Sequence, residues 1–184
     1  HIPPEDYLAV SDASLMKLVE DFETVNIVAF SFGTVIGSHL ATTMGERVRK
    51  LSLVSPGGLA SIRIETPPFK KMPGPDAPEA EVREVVRHNL LQQMLKHPES
   101  VTDETIDIQL ACIERSRFGS YRVSLRDVLV DYLKGLKAPM QVVLGEFDTV
   151  IYPDHRQRFE KIREAVPEFR EDIIPEAGHW MQYE

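Results

Sequence analysis

Three residues of this chain could together activate a hydroxyl and attack a carbonyl: Ser31, Asp148 and His179. A serine hydroxyl is a poor nucleophile until a base accepts its proton and a third group orients that base. Ser31 stands where an apolar run, Ile27 to Phe30, breaks into a helical pattern, with Ala29 two positions before it and Gly33 two after. A corner tight enough to project a side chain leaves no room for bulk at those positions and strains the backbone of the serine. Asp148 closes the segment Leu-Gly-Glu-Phe-Asp past a second apolar run, and His179 stands in Pro-Glu-Ala-Gly-His-Trp past a third. Each also has a plainer reading. A serine at such a junction can be a helix cap, Asp148 or nearby Glu146 a turn residue, and His179 a loop histidine bonded to backbone. His39, His88, His97 and His155 show no partner spacing and read as helix-surface or core residues. The histidines and Cys112 show no metal-ligand spacing, so neither metal nor cofactor is expected.

The bulk properties narrow the class. The chain has 184 residues, 42% hydrophobic and 27% charged, enough for one domain with a sizeable core. Its formal net charge is -8, with both signs interspersed, which argues against a nucleic-acid partner. The single cysteine cannot form an internal disulfide, nothing requires an oxidising compartment, and a cytoplasmic location is expected. No apolar run is long enough to span a bilayer.

The elements that must position these residues alternate between helix and strand. Ser11 or Asp12 caps a helix with Leu15, Leu18, Val19 and Phe22 on its apolar face. Asn26 to Phe30 is a strand short and apolar enough to be buried on both faces. The helix after Ser31 carries Val35, Ile36, Leu40 and Met44 and stops near Gly45; Lys50 to Val54 is a second strand, closed by Ser-Pro-Gly-Gly at Ser55 to Gly58. Met140 to Leu144 and a weaker run, Arg170 to Ile174, supply two more. Between the second and third strands lie about eighty residues with no strand pattern. They open with an irregular stretch, Thr66 to Pro78, that holds five prolines. Three amphipathic helices follow: one striped by Val82, Val85, Val86, Leu90, Leu91 and Met94, one from Thr102-Asp103-Glu104 to about Arg117, and one from Leu125 to Leu136. Such an insertion is placed to cover a ligand crevice, or simply forms a structural layer. The pattern predicts an α/β fold with a parallel sheet, and all three candidate residues leave it from the carboxyl ends of strands.

With its strand-to-helix serine, its Gly-x-x-Asp segment, its Ala-Gly-His-Trp loop and the chain order Ser, Asp, His, the sequence resembles α/β-hydrolase fold enzymes. The likeness is to the lid-bearing esterase, lactonase and carbon–carbon hydrolase type. The resemblance implies a mostly parallel sheet with helices on both faces, divided as core (1–58), helical lid (59–137) and core (138–184). It implies Ser31 as nucleophile, His179 as general base and acid, Asp148 as orienting carboxylate and the Phe32 backbone N–H as an oxyanion donor. Glu146 sits closer to the strand end, whereas Asp148 fits the family spacing. Ala29 replaces the usual first glycine of Gly-x-Ser-x-Gly. Dehalogenases and epoxide hydrolases of this fold carry aspartate at the elbow, so Ser31 argues against both. Trp180 and the lid style resemble hydrolases of aromatic ring-fission products, which bind a substrate carboxylate with a lid arginine. That position falls on Gln109 here, with Arg115, Arg117 and Arg122 out of register. The expected reaction is therefore hydrolysis of a carboxylic ester or lactone through an acyl-enzyme. Carbon–carbon hydrolysis and non-catalytic ligand binding are the alternatives. The expected partner is a small, partly apolar ester-like substrate, neither nucleic acid nor membrane, and a homo-oligomer is compatible with the sequence. The family's strands before the elbow, its second oxyanion donor and its closing helix find no counterpart in the 184 residues, which reads as a fragment of a longer enzyme. Val28 would then lie on an exposed apolar edge.

Overall fold

In the computed structural model the described residues are 4–60, 68–117, 119–120, 126–150 and 154–184. In chain order the elements are α1 (Pro4–Leu18), β1 (Val25–Phe30), α2 (Gly33–Met44), β2 (Val48–Val54), α3 (Glu79–Gln93), α4 (Asp103–Arg115), α5 (Leu129–Leu133), β3 (Met140–Gly145), α6 (His155–Arg163) and β4 (Arg170–Ile174). Short 3-10 turns precede β2 and α4. The chain forms two compact units. The first is His1–Arg63, Phe118–Val143 and Asp154–Asp172; the second is Ile64–Arg117, Leu144–Pro153 and Ile173–Glu184. No helix among the described residues is long and apolar enough to cross a membrane.

The first unit is built on one sheet in the order β1-β2-β3-β4. β1 runs parallel to β2 with Ala29 opposite Leu53, and β2 runs parallel to β3 with Leu53 opposite Val142. Parallel strands of Val, Leu and Ile need cover on their faces. Here Leu51, Leu53 and Val142 are fully buried, as are Val35 of α2 and Leu129 and Leu133 of α5. Gln141 of β3 donates to Asp172 of β4 (2.7 Å). The Arg170 guanidinium holds that carboxyl below its usual range, with Gln141 adding to the effect. β1 departs from the expected burial on both faces and agrees with the exposed apolar edge expected at Val28, which is 75% exposed, with Asn26 exposed on the same side. β1 ends the strand order, and no described element covers that face.

α1 corrects the expected cap. The helix begins at Pro4, and Ser11 lies inside it, its hydroxyl donating back to Tyr7 O (2.8 Å) as Ser14 does to Val10 O (2.8 Å). Back-bonding of this kind satisfies a hydroxyl within a helix and removes its use as a cap. Asp12 meets His39 of α2, Oδ2 to Nε2 at 2.7 Å, a partner no local spacing could reveal. α2 ends as expected at Gly45, whose φ of 56° suits glycine.

The crowding expected at Gly33 falls elsewhere. A Cβ on Gly33 would meet nothing within 4 Å among the described residues, whereas one on Gly37 would lie 2.7 Å from Ala29 Cβ and 3.4 Å from Ile27 Cγ2. α2 therefore makes its closest approach to β1 one turn after the corner, and that approach limits residue 29 to a small side chain. Gly37→Val is expected to destabilise the protein by about 2 kcal/mol through overpacking against β1. Gly33→Ala is expected to change stability by no more than about 0.5 kcal/mol. Urea midpoints of the two variants check this.

In the second unit α3 and α4 pack together through Val86, Leu90 and Ile106, with Leu95 and Val101 completing a buried cluster. Thr102 caps α4 as expected: its hydroxyl accepts from Thr105 N (3.3 Å) while Thr105 Oγ1 accepts from Thr102 N (2.7 Å). Arg83 of α3 donates to Asp107 (2.6 Å) and Asp103 (2.9 Å) of α4, and both carboxylates raise its pKa. The expected third helix is reduced among the described residues to the five of α5, which belongs to the first unit. Leu125, Thr66 and Pro67 lie outside the described residues.

Candidate active site

Ser31 follows β1 directly and has φ 51°, in the left-handed region that a residue with a Cβ enters at a cost of about 1–3 kcal/mol. Hydrogen bonds on both sides of its backbone hold it there. Its N–H donates to Val54 O on β2 (2.9 Å), and its carbonyl accepts from Thr34 N (3.0 Å), Thr34 Oγ1 (2.6 Å) and Gly57 N (3.2 Å). Phe32, next in the chain, caps α2 with helical backbone angles. Its N–H therefore belongs to the positive end of the α2 dipole, where negative charge is favoured. The Ser-Pro-Gly-Gly segment braces this corner. A Cβ on Gly57 would lie 3.5 Å from Ser31 O and 3.7 Å from Phe32 N, Arg158 donates to Pro56 O (3.3 Å), and Ser55 itself has φ 45°.

In the second unit, Asp148 and His179 meet. Asp148 is fully buried and His179 is 2% exposed, with Oδ2 and Nδ1 2.8 Å apart. The other carboxylate oxygen, Oδ1, accepts from Val150 N (2.9 Å). A carboxylate only accepts, so Nδ1 carries the proton and Nε2 is left with its lone pair as the basic nitrogen. Glu146 is occupied differently: its Oε2 accepts from Glu176 N (2.9 Å).

The loop carrying His179 is fixed by features with no local sequence signal. Phe147 N donates to Ala177 O (2.9 Å) and Trp180 N to Met94 O (2.8 Å). A Cβ on Gly145 would overlap the Gly178 carbonyl oxygen and lie 2.7 Å from that of Ala177. The Glu184 carboxylate accepts from Lys96 N (2.8 Å), His97 N (2.8 Å) and Gly178 N (2.7 Å), three charge-assisted bonds, the last to the residue before His179. His97 Nε2 lies 2.7 Å from Glu176 O and His88 Nε2 3.0 Å from Pro68 O, so both rings bond to backbone.

Gln109 lines a cavity of about 140 Å³ in the second unit with Phe69, Met72, Leu90, Met94 and Ile113. Its carboxamide has no hydrogen-bond partner among the described residues. Trp180 packs on the cluster around Leu90 and Ile106 and does not line that cavity. Arg115 and Arg117 are exposed, Arg117 donating to Glu114 O (2.6 Å) and Ser116 O (3.1 Å); Arg122 lies outside the described residues. Among the described residues no group of three or more His, Cys, Asp or Glu side chains is arranged to hold a metal ion. The structure thus sets Ser31 beside Phe32 at the head of α2 in one unit and pairs Asp148 with His179 in the other.

No protein-family model and no curated protein matches the chain. Solved structures do. A serine hydrolase from the polyaromatic-hydrocarbon-degrading bacterium Cycloclasticus zankles superimposes with a TM-score of 0.63 at 16% identity, over 97% of this chain and 66% of that one. The meta-cleavage product hydrolase CumD from Pseudomonas fluorescens IP01 gives 0.61 at 21%, over 92% and 62%. The 2-hydroxy-6-oxo-6-phenylhexa-2,4-dienoate hydrolase from Rhodococcus sp. strain RHA1 gives 0.65 at 17%, over 100% and 69%. The chain spans about two thirds of the length of these structures. At these identities the likeness establishes the fold: the chain has the α/β-hydrolase fold.

Proposed function

We propose that this chain carries the reacting residues of a serine hydrolase that cleaves a carboxylic ester or lactone. The observation that carries the reading is the buried Asp148–His179 contact with Nδ1 turned to the acid, in a chain whose strained Ser31 heads a helix. A histidine whose Nδ1–H is given to a carboxylate has Nε2 as its basic nitrogen.

In the proposed reaction His179 Nε2 takes the Ser31 hydroxyl proton as Oγ attacks the carbonyl carbon. The carbonyl electron pair moves onto oxygen, and the Phe32 N–H stabilises the resulting oxyanion. Collapse of the intermediate expels the alkoxide, which takes the proton from Nε2 and leaves the acyl group on Ser31. Water then gives a proton to the same nitrogen as its oxygen attacks the acyl carbon; the second intermediate collapses, the bond from carbon to Ser31 Oγ breaks, and Nε2 returns the proton to Oγ as the acid leaves. Asp148 keeps its negative charge throughout and stabilises the imidazolium. The helical segment between β2 and β3 serves as the lid, and the apolar walls around Gln109 take an uncharged, apolar part of the substrate.

Carbon–carbon hydrolysis is the second reading, because two of the similar structures are hydrolases of meta-cleavage or dienoate substrates. A neutral carboxamide at Gln109 offers a substrate carboxylate no counter-charge, and this favours the ester. Turnover of a p-nitrophenyl butyrate against 2-hydroxy-6-oxo-6-phenylhexa-2,4-dienoate separates the two. kcat/KM for the ester is expected to exceed that for the dienoate at least about tenfold. The reverse order would transfer the assignment to carbon–carbon cleavage, and turnover of neither would leave ligand binding.

A further inference from the structure

We infer that Thr34 is a positioning residue whose buried hydroxyl aims and polarises the Phe32 N–H, the oxyanion donor of the proposed reaction. The inference rests on that reading of the site. Ser31 C=O and Phe32 N–H are the two ends of one peptide group, which is planar, so whatever fixes the oxygen fixes the direction of the N–H on the opposite side. Thr34 contributes twice to holding that oxygen, through its N–H at 3.0 Å and its hydroxyl at 2.6 Å. Gly57 N donates to the same oxygen (3.2 Å) and also to the Thr34 hydroxyl (3.2 Å), so the hydroxyl gives one hydrogen bond and receives another.

A threonine in the first turn of a helix often bonds back to the carbonyl three residues earlier, and for an exposed side chain that would be the whole account. Three facts go beyond it here. Thr34 is fully buried. Its hydroxyl links α2 to the Ser-Pro-Gly-Gly segment after β2, so that two elements share one carbonyl. That carbonyl belongs to Ser31 itself, the residue held at φ 51°. Three donors on one carbonyl also draw electron density toward its oxygen and make the attached N–H a stronger donor. The effect grows in importance as negative charge develops opposite that N–H, so it acts on the transition state more than on bound substrate.

Thr34→Val keeps the shape and removes the hydroxyl; Thr34→Ser keeps the hydroxyl and removes a methyl. With p-nitrophenyl butyrate, Thr34→Val is expected to lower kcat about tenfold with KM within about twofold, and to weaken a boronic-acid inhibitor, which forms a tetrahedral anion on the serine, by a similar factor. Thr34→Ser is expected to stay within about threefold of wild type in both measurements. Equal losses in the two variants, or a kcat for Thr34→Val within twofold of wild type, would overturn the inference while wild-type turnover and serine labelling leave the hydrolase reading standing. If wild type neither turns over ester nor reacts at Ser31, both fall. Should Thr34→Val fail to fold, Thr34→Ala against Thr34→Ser in the boronic-acid titration decides the matter by the same criterion.

Discussion

Ser31→Ala is expected to abolish ester turnover, lowering kcat about a millionfold and leaving only the background set by binding and the oxyanion donor. Alanine has the same Cβ and occupies the left-handed conformation at the same cost, so the variant's thermal midpoint should stay near that of wild type. Ser31→Gly sharpens the test. Glycine adopts φ 51° without the Cβ penalty, so this variant should be as inactive as Ser31→Ala yet about 1 kcal/mol more stable than wild type. A serine that is strained and also indispensable is what a nucleophile at such a corner requires. A helix cap predicts losses in both variants, about 1 kcal/mol for Ser31→Ala and a few tenths of a kcal/mol for Ser31→Gly. Parallel denaturation and steady-state assays of the two variants separate these cases.

Asp148→Asn is expected to lower kcat about ten-thousandfold with little change in stability. The reason is the proton on the ring. Asp148 accepts at both oxygens, from Val150 N and from His179 Nδ1, so the imidazole presents Nε2 as its basic nitrogen. An asparagine that accepts from Val150 N turns its NH2 toward Nδ1. The ring must then accept there and carry its proton on Nε2, where it can no longer take one from Ser31. Glu146→Gln makes the paired control. Its partner is Glu176 N, and glutamine keeps an acceptor for it, so activity should remain within about threefold. If Glu146→Gln carried the large loss and Asp148→Asn the small one, the assignment of the acid would be reversed.

Much of the fold was legible because its signals are local. β1, β2, β3 and β4 are short apolar or alternating runs bounded by turn residues, and their positions follow from the sequence to within two residues. The cap at Thr102 and the stop at Gly45 carry local chemistry of the same kind. Misreadings arose where the deciding contact is distant or the local sign is ambiguous. Ser11 and Asp12 resemble a cap in one dimension, whereas in the helix one bonds backward and the other reaches α2. Gly33 carried the expectation of crowding because of its distance from Ser31, yet Gly37, a turn later, is the glycine that faces Ala29. The strand sequence of β1 reads as buried because its composition is apolar, while burial depends on which elements lie across it.

The site divides along the same line. Ser31, Asp148 and His179 could be singled out because each sits just beyond a strand. Their supports could not. Glu184 reaches Lys96 N and Gly178 N across 88 and 6 positions of chain, and Gly57 reaches Ser31 O across the gap between two strands. Backbone amides carry no sequence identity, so a carboxylate or carbonyl that binds them leaves no pattern to read.

Covalent labelling with a fluorophosphonate tests most directly whether His179 and Asp148 activate Ser31. After reaction with the probe, digestion and mass spectrometry should place a single adduct on Ser31, and the labelling rate should fall at least about a thousandfold in His179→Ala. An adduct on another residue, or a labelling rate that His179→Ala leaves unchanged, would contradict that activation.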